Sequence, residues 1–457
     1  MKKKQLRWTL WTIASPFILF IILCILIYLP PIQNFLVDKA AVYASEATGM
    51  NISVGRISLS FPLNLVVTDV DAASPHKDTL LSVRRLQVNV QLLPLLKKQV
   101  EVDGISLQGA TVNSNDLIHG MRLNGTLGEL FISSHGVALD PETAIVNKVL
   151  LKDTDLSLCL NDTAAADTAA SDTTYWKIIL QDIDLQNVSF ALDMPLDSLS
   201  LAASLDNATL RDGLIDLHKS AYSLQTFRIK NGRVRYDSGR PSATASADSL
   251  SAGLDPSHIA LTDIGVKLDS LYYEGRNMKA VISQFVLKER SGVEIVSTEG
   301  RLVSNDKVLR VPSLKLETRD SYLELNAAMD WDALDFKKEG LVSARLMADI
   351  GKPDVVRFMG SMDEKFIRKY PSEPLRIRTG IDGDLNKLKL TTLTAELPGA
   401  LELFAKGELT SLTDSLLRGG DITLQAETKD LKFISTLAEG IEIPYGTRLE
   451  GKFTMAE

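Results

Sequence analysis

Histidine and cysteine are the side chains from which metal centres and nucleophilic sites are most often built, and this chain has few of them. Its 457 residues include five histidines and two cysteines. The histidines are scattered, without the His-Glu-x-x-His spacing that places two ligands on one helical face. Cys24 and Cys159 are too few for a thiolate zinc site or a disulfide framework. The sequence therefore predicts no metal centre, no redox site and no cofactor.

Other residues that could do chemistry lack the partners they would need. Asp330-Trp-Asp332-Ala-Leu-Asp335 has the spaced carboxylates that begin a calcium loop, but not its glycine at the sixth position or its closing glutamate. Ser134-His135 has no acidic partner in an ordered motif. Motifs for a nucleophile elbow, a phosphate loop and dinucleotide binding are also missing. We therefore expect a protein that is not an enzyme.

The charge and composition of the chain narrow the class of protein further. The chain has 50 basic and 58 acidic residues, a net charge of −8, which is the wrong sign for a nucleic-acid partner. With 45% hydrophobic and 24% charged residues, the composition is that of a folded chain. The length permits either several domains or one long repetitive element.

An uncharged apolar segment near the start predicts a membrane anchor within residues 1–30. A helix over residues 8–29 would reach about 33 Å, enough to cross the hydrocarbon core of a bilayer. Lys2, Lys3, Lys4 and Arg7 precede the segment, so the N-terminus should stay cytoplasmic and the rest be exported. No small-residue cleavage site follows, so we expect a retained single-pass anchor. Its aromatic residues are Trp8, Trp11, Phe17, Phe20 and Tyr28.

Two periodicities follow the anchor. Residues 31–49 carry apolar side chains at helical spacing and end at Gly49, which predicts an amphipathic helix. From Ile52 the apolar residues alternate with polar ones, as on one face of a strand. The alternation changes parity at Gly55, where a glycine could adopt the positive φ of a bulge or tight turn.

One short pattern then recurs: two apolar residues on one face, a Gly, Asp or Asn, and an apolar residue of the opposite parity. Its copies are Ile105-x-Leu107-x-Gly109-x-x-Val112, Val149-x-Leu151-x-Asp153-x-x-Leu156, Ile183-x-Leu185-x-Asn187-x-x-Phe190 and Phe227-x-Ile229-x-Asn231-x-x-Val234. The middle residue is of a type that adopts a left-handed backbone at little cost. We therefore predict left-handed residues at these four positions.

A second pattern, x-Gly-x-apolar, recurs around Gly125, Gly300, Gly383, Gly407 and Gly451. Glycine-containing hairpins would explain any single copy. Recurrence of both patterns along the chain instead predicts a mainly β fold over residues 50–457, an elongated β-repeat sheet with a few short helices.

Few features interrupt this sheet. Residues 161–174 are rich in Ala, Thr and Asp, which predicts a flexible loop. Residues 353–369 place Val355, Met359, Met362 and Phe366 on one helical face. The sequence stops at Glu457 directly after a strand pattern, so we suspect truncation at the C-terminus.

The first 110 residues or so resemble a known family. The basic start, the span, the helix ending in Ala47-Thr48-Gly49, and the strand patterns Ile52-Ser-Val54-Gly55-Arg-Ile57-Ser-Leu59 and Leu63-Asn-Leu65-Val-Val67-Thr-Asp-Val70 resemble the N-terminal portion of the AsmA-like superfamily, in particular its TamB branch. The repeat pattern extends the resemblance more loosely to the end.

The resemblance implies a protein anchored in the inner membrane of a Gram-negative bacterium, with its bulk in the periplasm. It also implies that the long β-repeat sheet is curved into an open, taco-like groove. Such proteins bridge the envelope and are implicated in phospholipid movement toward the outer membrane. TamB relatives also partner an Omp85-type outer-membrane barrel through a C-terminal domain. This chain lacks that domain, so a barrel contact would depend on a missing region.

The leading hypothesis is a lipid conduit in which an apolar groove shields acyl chains from water. The candidate lining residues are Leu86, Val88, Val90, Leu92, Ile105, Leu107, Ile183 and Leu185. For each of them a covered core position is the alternative. Two other functions stay open: a scaffold that assists outer-membrane protein assembly or secretion through exposed sheet edges, and a membrane-anchored hydrolase.

Overall fold

A computed structural model describes residues 35, 39, 41–43, 45, 46, 48–60, 64–74, 79–91, 102–114, 120–138, 142–161, 175–239, 253–334, 338, 340–358, 364–384, 386–411, 419–436 and 444–455. The chain divides into two compact units, Met1–Leu196 and Asp197–Glu457. Strands dominate the described residues of both units and the helices are short, so the prediction of a mainly β fold is confirmed.

The described part of the first unit is a mixed sheet of seven strands. The strands are β1 (Asn51–Ser60), β2 (Asn64–Ala73), β3 (Thr79–Val90), β4 (Val102–Asn113), β5 (Met121–Ala138), β6 (Thr143–Leu160) and β7 (Lys177–Met194). From β1 to β6 each strand pairs antiparallel with the next. Their alternating apolar and polar residues fit a pleated surface whose two faces meet different surroundings.

The last pairing in this unit, β6 with β7, is parallel. The chain must therefore return along the length of β6 between Leu160 and Lys177, since parallel neighbours cannot be joined by a tight hairpin. The predicted flexible loop, residues 161–174, falls within this connection. Except for Asn161, it lies outside the described residues.

The described part of the second unit is an antiparallel sheet. Its strands are β8 (Leu199–Asp216), β9 (Ala221–Leu224), β10 (Thr226–Ser238), β11 (His258–Glu274), β12 (Asn277–Glu289), β13 (Glu294–Ser304), β14 (Val308–Thr318), β15 (Tyr322–Asp330), β16 (Val342–Ile350), β17 (Leu375–Gly383), β18 (Lys387–Leu397), β19 (Leu401–Thr410), β20 (Gly419–Thr428) and β21 (Arg448–Met455). Strands β9 and β10 lie end to end between β8 and β11. From β11 to β21 each strand pairs with the next.

The repeated glycines lie within strands. Gly125, Gly300 and Gly407 are in β5, β13 and β19, each paired with a residue of the neighbouring strand. A Cβ added at Gly407 would lie 2.1 Å from the carbonyl oxygen of Asp421, and one at Gly300 would lie 2.8 Å from a methyl of Leu314. The hairpin explanation is therefore wrong for these glycines, which allow neighbouring strands to approach closely.

Helix is found where the sequence predicts it over residues 353–369, but in two described segments, α1 (Lys352–Phe358) and α2 (Glu364–Lys369). Residues 359–363, with Met359 and Met362, lie outside the described residues. Phe366 is buried, and Val355 packs against the same apolar cluster. The predicted helical face is thus confirmed at these two positions.

The buried apolar cluster lies at one end of strands β17 to β20, beneath the helices. Its buried members are Phe366, Tyr370, Leu397, Ala400, Leu431 and Phe433. The rings of Phe366 and Phe433 meet edge to face with centroids 5.7 Å apart, and those of Tyr370 and Phe433 are 5.2 Å apart. Burial of Tyr370 raises the pKa of its phenol.

A buried carboxylate ties α1 to the turn between β14 and β15. Asp354 accepts hydrogen bonds from the hydroxyls of Thr318 and Ser321, the latter at 2.6 Å, and from Arg357 at 2.9 Å. Arg357 also contacts Asp320 at 2.8 Å. Among these partners only Arg357 is charged, so its removal would leave the buried carboxylate without a counter-charge, whereas loss of a hydroxyl would remove one hydrogen bond.

The predicted N-terminal elements are only partly within the described residues. Those between 35 and 48 are helical, and Ser45 Oγ accepts a hydrogen bond of 3.0 Å from Ile52 N at the start of β1. Residues 1–34, with the candidate anchor residues Trp8, Trp11, Phe17, Phe20 and Tyr28, lie outside. Within the described part, none of the helices combines the length and hydropathy that crossing a membrane requires.

The apolar cluster predicts where stability is concentrated. Phe366→Ala should lower the free energy of unfolding of the second unit by about 3–5 kcal/mol, because a fully buried ring leaves a cavity. Phe358→Ala is the matched control: that ring is 55% exposed, and its loss should cost no more than about 0.5 kcal/mol. Urea unfolding followed by far-ultraviolet circular dichroism measures both. Equal losses in the two variants would contradict the placement of the core.

Candidate functional site

Two uninterrupted rows of apolar side chains cross the sheet of the first unit. Residues directly opposite each other on paired strands lie on the same face, and so do residues two apart on one strand. Row 1 consists of Leu59, Leu65, Val88, Ile105, Ile132, Val149 and Ile183, and row 2 of Ile57, Val67, Leu86, Leu107, Leu130, Leu151 and Leu185. Each row has one member from every strand from β1 to β7.

Most of the predicted lining residues meet in these rows. Val88, Ile105 and Ile183 are in row 1, and Leu86, Leu107 and Leu185 are in row 2. Val90 lies one step beyond row 1, opposite Val102, and Leu92 lies outside the described residues. The alternation in the sequence does not identify Leu130 and Ile132, because β5 has a less regular pattern and only its pairing with β4 places them.

None of the fourteen row residues is fully buried, and none is fully exposed. Leu, Ile and Val in a closed core are usually buried almost completely. Partial exposure of every member of both rows is therefore unlike the interior of a sandwich. It resembles an apolar face whose residues shield one another sideways while their upper surfaces remain accessible.

Beside row 2, one residue of every strand forms what we call the reversal row: Gly55, Asp69, Arg84, Gly109, Gly128, Asp153 and Asn187. Asp69, Gly109, Asp153 and Asn187 have φ values of 54°, 62°, 49° and 52°. Asn187 Nδ2 donates a 2.9 Å hydrogen bond to Asp153 Oδ1. The predicted left-handed conformation is confirmed at Gly109, Asp153 and Asn187.

The prediction for Gly55 is wrong in detail. Gly55 does not have a positive φ; its cross-strand partner Asp69 does. A Cβ at Gly55 would lie 2.9 Å from the Cβ of Asp69, so the glycine makes room for the side chain of the left-handed residue. A single sequence places the parity change at this level of the sheet but does not tell which of two paired strands adopts the unusual backbone.

Beyond the reversal row the apolar residues continue at the opposite parity. The next row is Val54, Val70, Val83, Ala110, Leu127 and Val188, with the buried polar residue Thr154 at the position on β6. In a regular strand Leu107 and Ala110 would point to opposite faces. A left-handed residue such as Gly109 between them reverses the alternation, as an extra residue in a bulge does, and so keeps the apolar residues on one face.

The second unit also has left-handed strand residues and a cross-strand apolar row. Asn231 in β10 has φ 55°, as predicted, and Asp212 and Asp263 have φ 51° and 52°. The sequence analysis missed Asp69, Asp212 and Asp263, although each occupies the middle of the same pattern, for example Ile259-x-Leu261-x-Asp263-x-x-Val266. A cross-strand row also runs from β14 to β21, through Leu316, Leu323, Ala348, Ile377, Ala395, Leu403, Ala426 and Leu449.

The alternate positions of β17 to β21 carry charges. A cavity of about 550 Å³ on that side is lined by Arg376, Glu396, Glu402 and Phe404 among others. Arg376 lies 3.5 Å from Glu396, and Lys429 lies 2.9 Å from Glu402, whose carboxylate raises the pKa of the lysine. Arg376, Glu396 and Glu402 are thus each paired with a residue of opposite charge, which is typical of a solvated outer surface.

The residues considered for catalysis have structural roles. Asp330 accepts a hydrogen bond of 3.0 Å from Leu341 N, and Asp332 pairs with Lys338 at 3.1 Å, so both belong to a turn. Ser134 donates to the carbonyl of Val102, and His135 continues the same strand. Among the described residues, no three His, Cys, Asp or Glu side chains are grouped as metal ligands.

Comparison with protein-family models gives no match, and comparison with curated protein sequences gives none either.

The reversal row predicts an unusual substitution pattern at Asn187. Asn187→Gly and Asn187→Val both lose the hydrogen bond to Asp153, so their difference isolates the backbone. The valine variant should be less stable than the glycine variant by about 1–2 kcal/mol, since a β-branched residue is strained at positive φ. Urea unfolding measures the difference when it is followed by the fluorescence of Trp176 in a chain whose Trp8, Trp11 and Trp331 are replaced by Phe. A valine variant as stable as the glycine variant would contradict the left-handed assignment.

Proposed function

We propose that this protein is a lipid conduit: its apolar rows hold the acyl chains of phospholipids while the headgroups remain in water. The observation that carries the proposal is the pair of rows 1 and 2, which cross seven strands without a polar interruption and without a fully buried member. A surface of this kind is costly to leave in water and is stabilised by an apolar ligand.

The energetics favour a ligand with long hydrocarbon chains. Each methylene removed from water contributes about 0.8 kcal/mol, so a bound acyl chain is stabilised in proportion to the number of its methylenes that rest on row residues. Because each row residue has an equivalent neighbour on the next strand, a bound chain can shift from strand to strand while most of its contacts persist. The rows thus support movement of lipid across successive strands as well as binding.

The finer features of the proposal come from the sequence. We propose that the sheet curves into an open groove, that residues 8–29 anchor the chain in the inner membrane with the N-terminus in the cytoplasm, and that the β-rich body in the periplasm carries phospholipid toward the outer membrane. The resemblance to the AsmA-like superfamily supports this arrangement, and an Omp85-type barrel is a candidate partner on the same basis.

The alternative function, a scaffold that pairs client strands along exposed sheet edges, has less support at β1. There the outward backbone of Ile52 is already hydrogen-bonded, since Ser45 Oγ accepts from its N–H at 3.0 Å and donates to its carbonyl at 3.4 Å. An edge occupied at its first residues is a poor template for another strand.

Site-specific photo-crosslinking tests the conduit directly. With a benzophenone amino acid at Leu86, Leu107 or Leu151, we expect crosslinked phospholipid after irradiation of cells, detected by mass spectrometry. Matched positions on the alternate parity, Gln87, Gln108 and Lys152, should capture severalfold less. Capture of protein alone at the row positions, or equal lipid capture at both sets, would count against a conduit.

A charge placed in the rows should reduce lipid binding. Leu107→Asp introduces a carboxylate whose burial against acyl chains is unfavourable, and we expect severalfold less phospholipid per mole of purified protein. Gln108→Asp, at an exposed position next to it, should leave the lipid content unchanged. Far-ultraviolet circular dichroism of both variants checks that the sheet persists. Unchanged lipid in the folded Leu107 variant would refute the role of row 2.

A further inference from the structure

The helical residues that precede β1 expose large apolar side chains. The described residues between 35 and 48 are helical, and among them Phe35, Val42 and Tyr43 are 61%, 54% and 75% exposed. Large apolar side chains exposed beside one another mark an interaction site more often than isolated ones do. We call the surface formed by Phe35, Lys39, Val42, Tyr43 and Glu46 the helix face.

The five residues of the helix face lie on one side of the helix. Their spacing is i, i+4, i+7, i+8 and i+11, which recurs on one side because an α-helix has 3.6 residues per turn. The ammonium of Lys39 lies 5.9 Å from the centroid of the Phe35 ring, one turn away. All five are exposed, whereas Ala41 and Ser45, at other angles around the helix, are half-buried.

The half-buried side of the helix is joined to the sheet. Ser45 Oγ accepts a hydrogen bond of 3.0 Å from Ile52 N and donates one of 3.4 Å to the Ile52 carbonyl. Gly49 N donates to the Ser45 carbonyl at 2.9 Å and closes the last turn. Because Ser45 and the helix face lie on different sides of the helix, the contact with β1 leaves the helix face uncovered.

The place of the helix in the sequence indicates what covers its exposed face. Phe35 follows Leu29, the last residue of the proposed anchor, by six residues. Even a fully extended chain spans at most about 3.6 Å per residue, so Phe35 lies within about 22 Å of the end of the anchor. A helical surface with Phe, Val and Tyr that is held this close to a bilayer suits the interfacial layer, where aromatic side chains are favourable.

An attraction between charges does not explain such a contact. The helix face carries Glu46 as well as Lys39, and Asp38 adjoins Lys39 in the sequence. The contact would therefore depend on burial of apolar area, with the stem of Lys39 lying along the apolar surface and its ammonium in water.

We propose that the helix face docks on the bilayer that residues 8–29 cross, on the side where the β-rich body lies, with Phe35, Val42 and Tyr43 entering the interfacial layer. This inference rests on the proposed anchor and adds a second membrane contact that neither the anchor nor the conduit requires. Because Ser45 joins the helix to Ile52, docking holds β1, the first strand of rows 1 and 2, beside the membrane.

Quenching of a tryptophan at position 43 by brominated lipid tests the contact. The four tryptophans of the full chain are replaced by Phe, Tyr43→Trp supplies the only indole, and the protein is placed in nanodiscs of brominated phosphatidylcholine. We expect loss of at least half of the fluorescence relative to discs of unbrominated lipid. Tyr445→Trp in the same background is the matched control, because Tyr445 is 77% exposed, and it should lose little.

The results separate the docking from the anchor. If the chain enters the discs and the tryptophan at position 43 is not quenched, the docking is overturned while the anchor and the conduit stand. If the chain does not enter the discs, the anchor is refuted, and the docking that rests on it is refuted too. Equal quenching at positions 43 and 445 would indicate general adhesion and would also overturn the docking.

High salt and photo-crosslinking test the nature of the contact. The quenching at position 43 should persist in molar sodium chloride, because screening weakens contacts between charges but not apolar ones. A photo-crosslinker at Val42 should capture phospholipid in cells, and one at Tyr445 severalfold less. Loss of quenching at high salt, or capture at Val42 of protein without lipid, would refute an apolar contact with a bilayer.

Discussion

The alternation of side chains along a strand is the constraint on which this structure depends. An extended strand sends successive residues to opposite faces, so a long strand keeps one apolar face only if the sequence alternates throughout or the backbone resets the phase. Here the backbone does so at the reversal row, where Asp69, Gly109, Asp153 and Asn187 adopt positive φ at one level of the sheet. Every strand from β1 to β7 contributes one residue to the reversal row, and the residues on either side of it stay paired across the strands.

The residues that form a buried core and the residues proposed to bind a ligand lie in different parts of the structure. In the described second unit, the buried cluster around Phe366 and Phe433 and the buried carboxylate of Asp354 secure the helices at one end of the sheet. Rows 1 and 2 of the first unit are only half-buried and are held by strand pairing and sideways packing. An apolar face that is not needed as a closed core is free to take a ligand, and this is the physical basis of the proposed conduit.

In the second unit, the distribution of polar residues fits a sheet with one apolar face and one polar face. Across β17 to β21, ion pairs such as Arg376–Glu396 and Lys429–Glu402 lie at the positions that alternate with the apolar row, so that side is suited to water. Across β17 to β21 the apolar row and the ion pairs thus lie on opposite faces of the sheet.

By itself, the sequence determined the mainly β fold, the apolar members of rows 1 and 2 on β3, β4, β6 and β7, and the left-handed residues at Gly109, Asp153, Asn187 and Asn231. All of these follow from local periodicity and from the few residue types that tolerate positive φ. Tertiary structure decided the parallel pairing of β6 with β7, the exchange of roles between Gly55 and Asp69, and the placement of the repeated glycines within strands. Each of these depends on which strands are neighbours, and pairing between segments far apart in the chain leaves no local signal in a single sequence.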